Sequence, residues 1–118
     1  MLNKACFAIA AAISVFTVLP VIAQPSDRES DNTYLKILNE YLDQENRIRW
    51  QLNDNQKVFD GKLICFAYQQ GVDKREFMRD VVKNSRIYRD YSTEEANDYF
   101  ATALVTAEEV YCPEFKDK

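Results

Sequence analysis

From Asn32 onward the apolar residues recur every three or four positions, and this period predicts four helices. In the first, about Asn32 to Glu45, Tyr34, Leu35, Leu38, Tyr41 and Leu42 share one face, while Lys36, Asn39, Glu40 and Asp43 lie away from it. In the second, from Asn53 or Asp54 to Gly71, Val58, Gly61, Ile64, Cys65 and Tyr68 form one face and Phe59, Leu63 and Phe66 a second. A helix apolar on two sides is usually central in its bundle. The third opens at Asp73 with a D-x-x-E capping box to Glu76, flanked by Val72 and Phe77 at staple positions. Its expected buried face is Phe77, Met78, Val81, Val82 and Ser85. The fourth opens at the Ser92-Thr93-Glu94-Glu95 capping box and repeats Ala96, Tyr99, Phe100, Ala103, Leu104, Ala107, Val110 and Tyr111 over four turns. Between the first two helices, Ile48, Trp50 and Leu52 alternate with polar residues, which suits either an extended link or an irregular helix extension.

The punctuation between these segments is local. Gly71 suits a left-handed helix C-cap. Pro113 disfavours helical geometry at Cys112, so that cysteine leaves the helix end. Gly61 costs its helix about 1 kcal/mol relative to Ala, and the expected return is the close approach of a neighbouring helix. No convincing strand run is present, and two glycines supply little of the turn chemistry a β fold needs.

The start of the chain reads as a cleavable signal peptide. Lys4 precedes an apolar run from Ala5 to Leu19, Pro20 breaks it, and Val21-Ile22-Ala23 places the cut after Ala23. The alternative is an uncleaved leader serving as a membrane anchor, since Ala5 to Ala23 is near the short end of a bilayer span. Residues 24–31, with Pro25, read as a disordered lead-in to a single helical domain over 32–118. Removing 23 residues from 118 leaves 95, a size at which a core is modest and a covalent staple useful.

Composition then narrows the chemistry. Loss of Lys4 takes the formal net charge from −4 to −5, which disfavours nucleic acid as a partner. Cys6 goes with the leader, and the two remaining cysteines allow one pairing, Cys65 with Cys112. Export to the periplasm or exterior follows from the leader and the disulfide together. There is no histidine, which removes Ser-His and Cys-His nucleophile pairs and the usual zinc ligand, so neither a metal nor another cofactor is expected.

With these residues in view, the chain resembles domain of unknown function 732. The resemblance rests on Gly61-x-x-Ile64-Cys65-x-x-Tyr68-x-x-Gly71, the capped third and fourth helices, and Tyr111-Cys112-Pro113, and it covers roughly residues 33–113. Tyr68 stands where the family more usually has Leu, and the chain is richer in Tyr, Asn and Lys than the Ala-rich members. The resemblance implies a small exported bacterial protein with an all-helical domain closed by these two cysteines. It implies no reaction, ligand or catalytic residue.

Three features carry candidate function. Arg75, Arg79, Lys83 and Arg86 form a basic stripe on the third helix, followed by Tyr88, Arg89 and Tyr91. Such a stripe suits an anionic surface, such as lipid headgroups, an envelope polymer or an acidic partner, and its ordinary reading is a solvated face paired with Glu76 and Asp80. The Phe59-Leu63-Phe66 stripe is core by default, and otherwise a partner groove or part of a small apolar cavity. The acid pairs Glu94/Glu95 and Glu108/Glu109 diverge on a helix, which leaves no converging carboxylates for acid–base work. By elimination the sequence points to a non-enzymatic exported protein that binds or scaffolds an envelope or extracellular component. The rival is a helical carrier holding a lipid or other small ligand between its helices.

Overall fold

The computed structural model of the protein describes residues 28–116. The expected leader, 1–23, and residues 24–27 lie outside the described residues. Six α-helices and one 3-10 turn follow in order, with no strand among the described residues: α1 Arg28–Tyr41, α2 Arg47–Gln51, α3 Asp54–Gln69, α4 Lys74–Asn84, α5 Ile87–Asp90, α6 Thr93–Val110 and the turn Pro113–Phe115. The long helices α1, α3, α4 and α6 are the four that the periodicity predicts. Two short helices, α2 and α5, occupy the connections.

α1 starts four residues earlier than the period suggests. Its first turn carries Glu29 and Asp31, which favour the positive end of the helix dipole. Residues 28–31, expected in the disordered lead-in, are helical and held. The Tyr111 hydroxyl donates to Asp31, and the Lys62 ammonium lies 3.4 Å from the same carboxylate. Tyr34, Leu38 and Leu42 are buried as expected, whereas Tyr41 is 70% exposed.

The undecided stretch after α1 is a turn and then a five-residue helix. Asn46 organises it. Its side-chain oxygen accepts from the Ile48 amide at 2.9 Å, while its amide nitrogen donates to the Glu95 carbonyl and to Asp98 on α6. Ile48 is thereby buried completely. Trp50 points outward, its indole N–H donating to the Gln44 carbonyl and the Arg49 guanidinium lying 4.9 Å from its ring.

α3 begins at the N-cap Asn53 and ends in a Schellman turn. The Val72 amide donates to the Ala67 carbonyl, the Gly71 amide to Tyr68, and Gly71 takes φ +90°. Gly61 meets α1 as expected: a Cβ there would lie 2.5 Å from Tyr34 Cζ.

Both capping boxes form, Asp73 with Glu76 and Ser92 with Glu95. The buried face of α4 is narrower than its sequence suggests. Phe77 alone is buried; Met78, Val81 and Ser85 are half-buried, and Val82 is 50% exposed. α6, rather than α3, is the central helix. It packs against α1, α2, α3, α5 and the 3-10 turn, whereas α3 packs against α1, α4 and α6. The physical reason is side-chain size, because Ala96, Ala103 and Ala107, all buried, let neighbours approach α6 on several sides. Cys112 leaves the end of α6 and bonds Cys65 on α3, with the two Cα atoms 5.9 Å apart. No helix among the described residues is long and apolar enough to cross a membrane.

Candidate functional site

The second apolar side of α3 is only partly covered. Phe59 is 51% exposed, and Leu63 and Phe66 are half-buried. Leu63 and Phe66 form one wall of an open groove of about 820 Å³ between α3 and the α4–α5 arm. Phe77 and Val81 of α4 and Ile87 of α5 form the facing wall, and Phe100 of α6 lies at the base. Phe100 is held there by aromatic neighbours. Tyr88 stacks on it with centroids 5.9 Å apart, and Tyr99 and Phe77 meet it edge-on at 5.0 and 6.4 Å. The default assignment of the Phe59-Leu63-Phe66 stripe to core therefore holds only at Leu63, which packs against the core while half-buried. The α4–α5 arm stands away from α3 and leaves part of that stripe uncovered.

Polar side chains interrupt this apolar lining, and one of them is a buried carboxylate. Asp60 is 6% exposed and borders the groove. The Tyr99 hydroxyl donates to one of its oxygens at 2.7 Å, and the Gln56 side-chain amide donates to the other at 2.9 Å. Burial pushes the Asp60 carboxyl above its ordinary value, and the bonds from Tyr99 and Gln56 pull it back. Burial, then the charge of Asp60, raises the hydroxyls of Tyr99 and Tyr34 as well. The Tyr34 hydroxyl is buried without a hydrogen-bond partner among the described residues.

Lys57 lies one turn before Asp60 on the same helix but serves another purpose. Its ammonium donates to Asn39 at 2.9 Å and to the Arg49 carbonyl at 2.8 Å, tying α3 to α1 and α2. Desolvation lowers its proton affinity, the Arg49 charge lowers it a little further, and Asp54 opposes both. The sequence reading passes over Lys57 and Asp60 because charged residues on an amphipathic helix default to solvent. Their spacing did carry a signal. Residues 57, 60, 61, 64 and 68 fall on one helical face, the face of Gly61, Ile64 and Tyr68.

The basic stripe is exposed along its whole length. Arg75, Arg79 and Lys83 sit on α4, but Arg86 lies beyond its end, at the start of α5 and on the rim of the groove. None of the four makes an ion pair with Glu76, Asp80 or another acid among the described residues. The acid pairs diverge. Glu95 takes Arg47, Glu108 takes the Tyr68 hydroxyl and Lys74, and Glu109 takes Lys116. No group of three or more Asp, Glu, Cys or His among the described residues could hold a metal ion. No family model, curated protein or solved structure matches the chain.

Proposed function

We propose that the protein is a non-catalytic exported binding protein that carries a small, largely apolar ligand in the groove between α3 and the α4–α5 arm. The groove carries this reading. Its volume suits a drug-sized or short-chain ligand, and aliphatic and aromatic side chains such as Leu63, Phe66, Phe77 and Val81 share its lining with polar ones such as Gln56, Asp60 and Arg86. The resemblance to domain of unknown function 732 adds an exported, disulfide-closed domain to this reading and no ligand. The test is titration with the apolar fluorophore N-phenyl-1-naphthylamine. Saturable one-to-one binding is expected, lost in Leu63→Trp and in Val81→Trp, which fill the groove from opposite walls. Fluorescence that does not saturate, or that both variants retain while folded, would sink the reading.

A second reading rests on a separate observation, the four exposed cations without ion-pair partners among the described residues. The stripe on α4 would place the protein on an anionic envelope surface, each cation contributing on the order of 1 kcal/mol. Co-sedimentation with anionic liposomes at low salt, lost at high salt and in Arg75→Glu/Arg79→Glu, is the expected result. Equal sedimentation of the charge-reversed protein would leave the stripe a solvated face.

A further inference from the structure

Buried carboxylates are normally matched by a cation, because an isolated charge away from water is costly. Asp60 is buried, and no Lys or Arg nitrogen among the described residues lies within 4.0 Å of it. Of the two ammonium groups nearest in sequence, that of Lys62 lies 3.4 Å from Asp31 and that of Lys57 is committed to Asn39 and the Arg49 carbonyl. The partners Asp60 does have, Gln56 and Tyr99, are both neutral and give each oxygen one hydrogen bond. A carboxylate oxygen accepts two, so each retains an acceptor position. The carboxylate borders an apolar groove. The other charged residues lining that groove are Asp80, Asp90 and Arg86, so three carboxylates face one guanidinium.

We propose that the groove selects amphiphiles bearing an amine, whose ammonium seats on Asp60 while the apolar body lies between Leu63, Phe66, Phe77 and Val81. This inference rests on the groove being a ligand site and adds the chemical class. A fatty-acid carboxylate in the same pose would face Asp60 directly and be repelled. An alcohol would donate one hydrogen bond and leave the carboxylate's charge unneutralised. An ammonium brings the missing charge, and the rings of Phe66 and Phe77 are compatible with a cation nearby.

The experiment compares three probes with the same chain, decylamine, decanol and decanoate, by calorimetry at pH 7 below their micellar thresholds. Decylamine should bind at least about tenfold more tightly than decanol, the advantage of a hydrogen bond that also brings the opposite charge over one that does not, with decanoate weakest. Asp60→Asn should abolish the preference for decylamine over decanol. Gln56→Lys gives the same result by another route, since an ammonium one turn away on an exposed position occupies the carboxylate from within the helix, without deleting it. Equal affinities in the wild type, or a decylamine preference that survives Gln56→Lys, would overturn the selectivity and leave the groove a ligand site. If none of the three probes binds the folded wild type, the groove reading fails and the selectivity fails with it.

Discussion

Replacing Gly61 with Ala should destabilise the protein, although helix propensity alone argues the reverse. In an isolated helix the change would stabilise by about 1 kcal/mol. Here the new Cβ would meet Tyr34 Cζ at 2.5 Å, Cε1 at 2.6 Å and the hydroxyl oxygen at 2.8 Å. Ordinary contact begins near 3.4 Å, so the ring must retreat by close to an ångström. It has little room, because Tyr34 is fully buried and its ring lies 5.1 Å from that of Tyr111. Overpacking of a rigid core site costs about 3 kcal/mol at the upper end of the usual range, which leaves a net loss of about 2 kcal/mol after the gain in propensity. With a urea slope of about 2 kcal/mol/M for a domain of this size, the unfolding midpoint should fall by about 1 M. Equilibrium urea denaturation followed by far-UV circular dichroism measures it. A double-mutant cycle with Tyr34→Leu assigns the cause, with an expected coupling of at least about 1 kcal/mol because the shorter side chain makes room. A neutral or stabilising Gly61→Ala, or a coupling near zero, would refute the account of Gly61 as the point where α1 and α3 meet.

Cys65→Ala and Cys112→Ala should each cost about 4 kcal/mol and cost the same, since each removes one crosslink across 47 positions; unequal urea midpoints would assign one cysteine a second task. Tyr34→Phe should be neutral or stabilise by up to about 1 kcal/mol, because it removes a buried hydroxyl with no partner among the described residues; a clear loss in thermal midpoint would reveal a bond to that oxygen. Arg47 donates to the Glu95 carboxylate and holds it well below its ordinary value of 4.5. That contribution is therefore complete above about pH 4.5 and disappears as the pH falls towards the lowered folded value, so Arg47→Ala should flatten the acid limb of a melting-temperature profile. Asp60 has the opposite sign. Its folded value lies above 3.8, so stability declines as the pH rises from 3.8 through that folded value, and Asp60→Asn should remove the decline.

What the sequence disclosed was what depends on neighbours a few residues apart. The Asp73/Glu76 and Ser92/Glu95 boxes, the Gly71 turn and the long stripe of α6 are written within single segments, and the structure contains all of them. Cysteine arithmetic reached across the chain because only one pairing was open. What failed depended on how far one helix stands from another. Val82 repeats at the right spacing to be buried, yet the arm carrying it is not covered on that side. Phe59 and Phe66 look like core until α4 is seen to stand off from α3. The alternation around Trp50 suits an inward-facing side chain, whereas the indole donates to the Gln44 carbonyl at the surface. Asp60, the centre of the candidate site, was hidden by its charge, although its place on the Gly61–Ile64–Tyr68 face was legible.

The single buried side chain of α4, Phe77, sets a difference in durability within one small domain. α3 and α6 are fastened to each other covalently, and Lys57 and Asn46 bind α1, α2 and α6 into the same unit. One wall of the groove, tied to α6 through Phe77 and the Lys74–Glu108 pair, is therefore expected to loosen at lower cost than the helices joined by the disulfide. On the proposed reading as a carrier, the groove would exchange its ligand quickly while the remaining helices stay folded. Amide hydrogen exchange distinguishes this from a uniformly rigid domain. Residues 78–83 should exchange well before residues 64–68, and equal protection would mean that the wall opens only when the whole fold does.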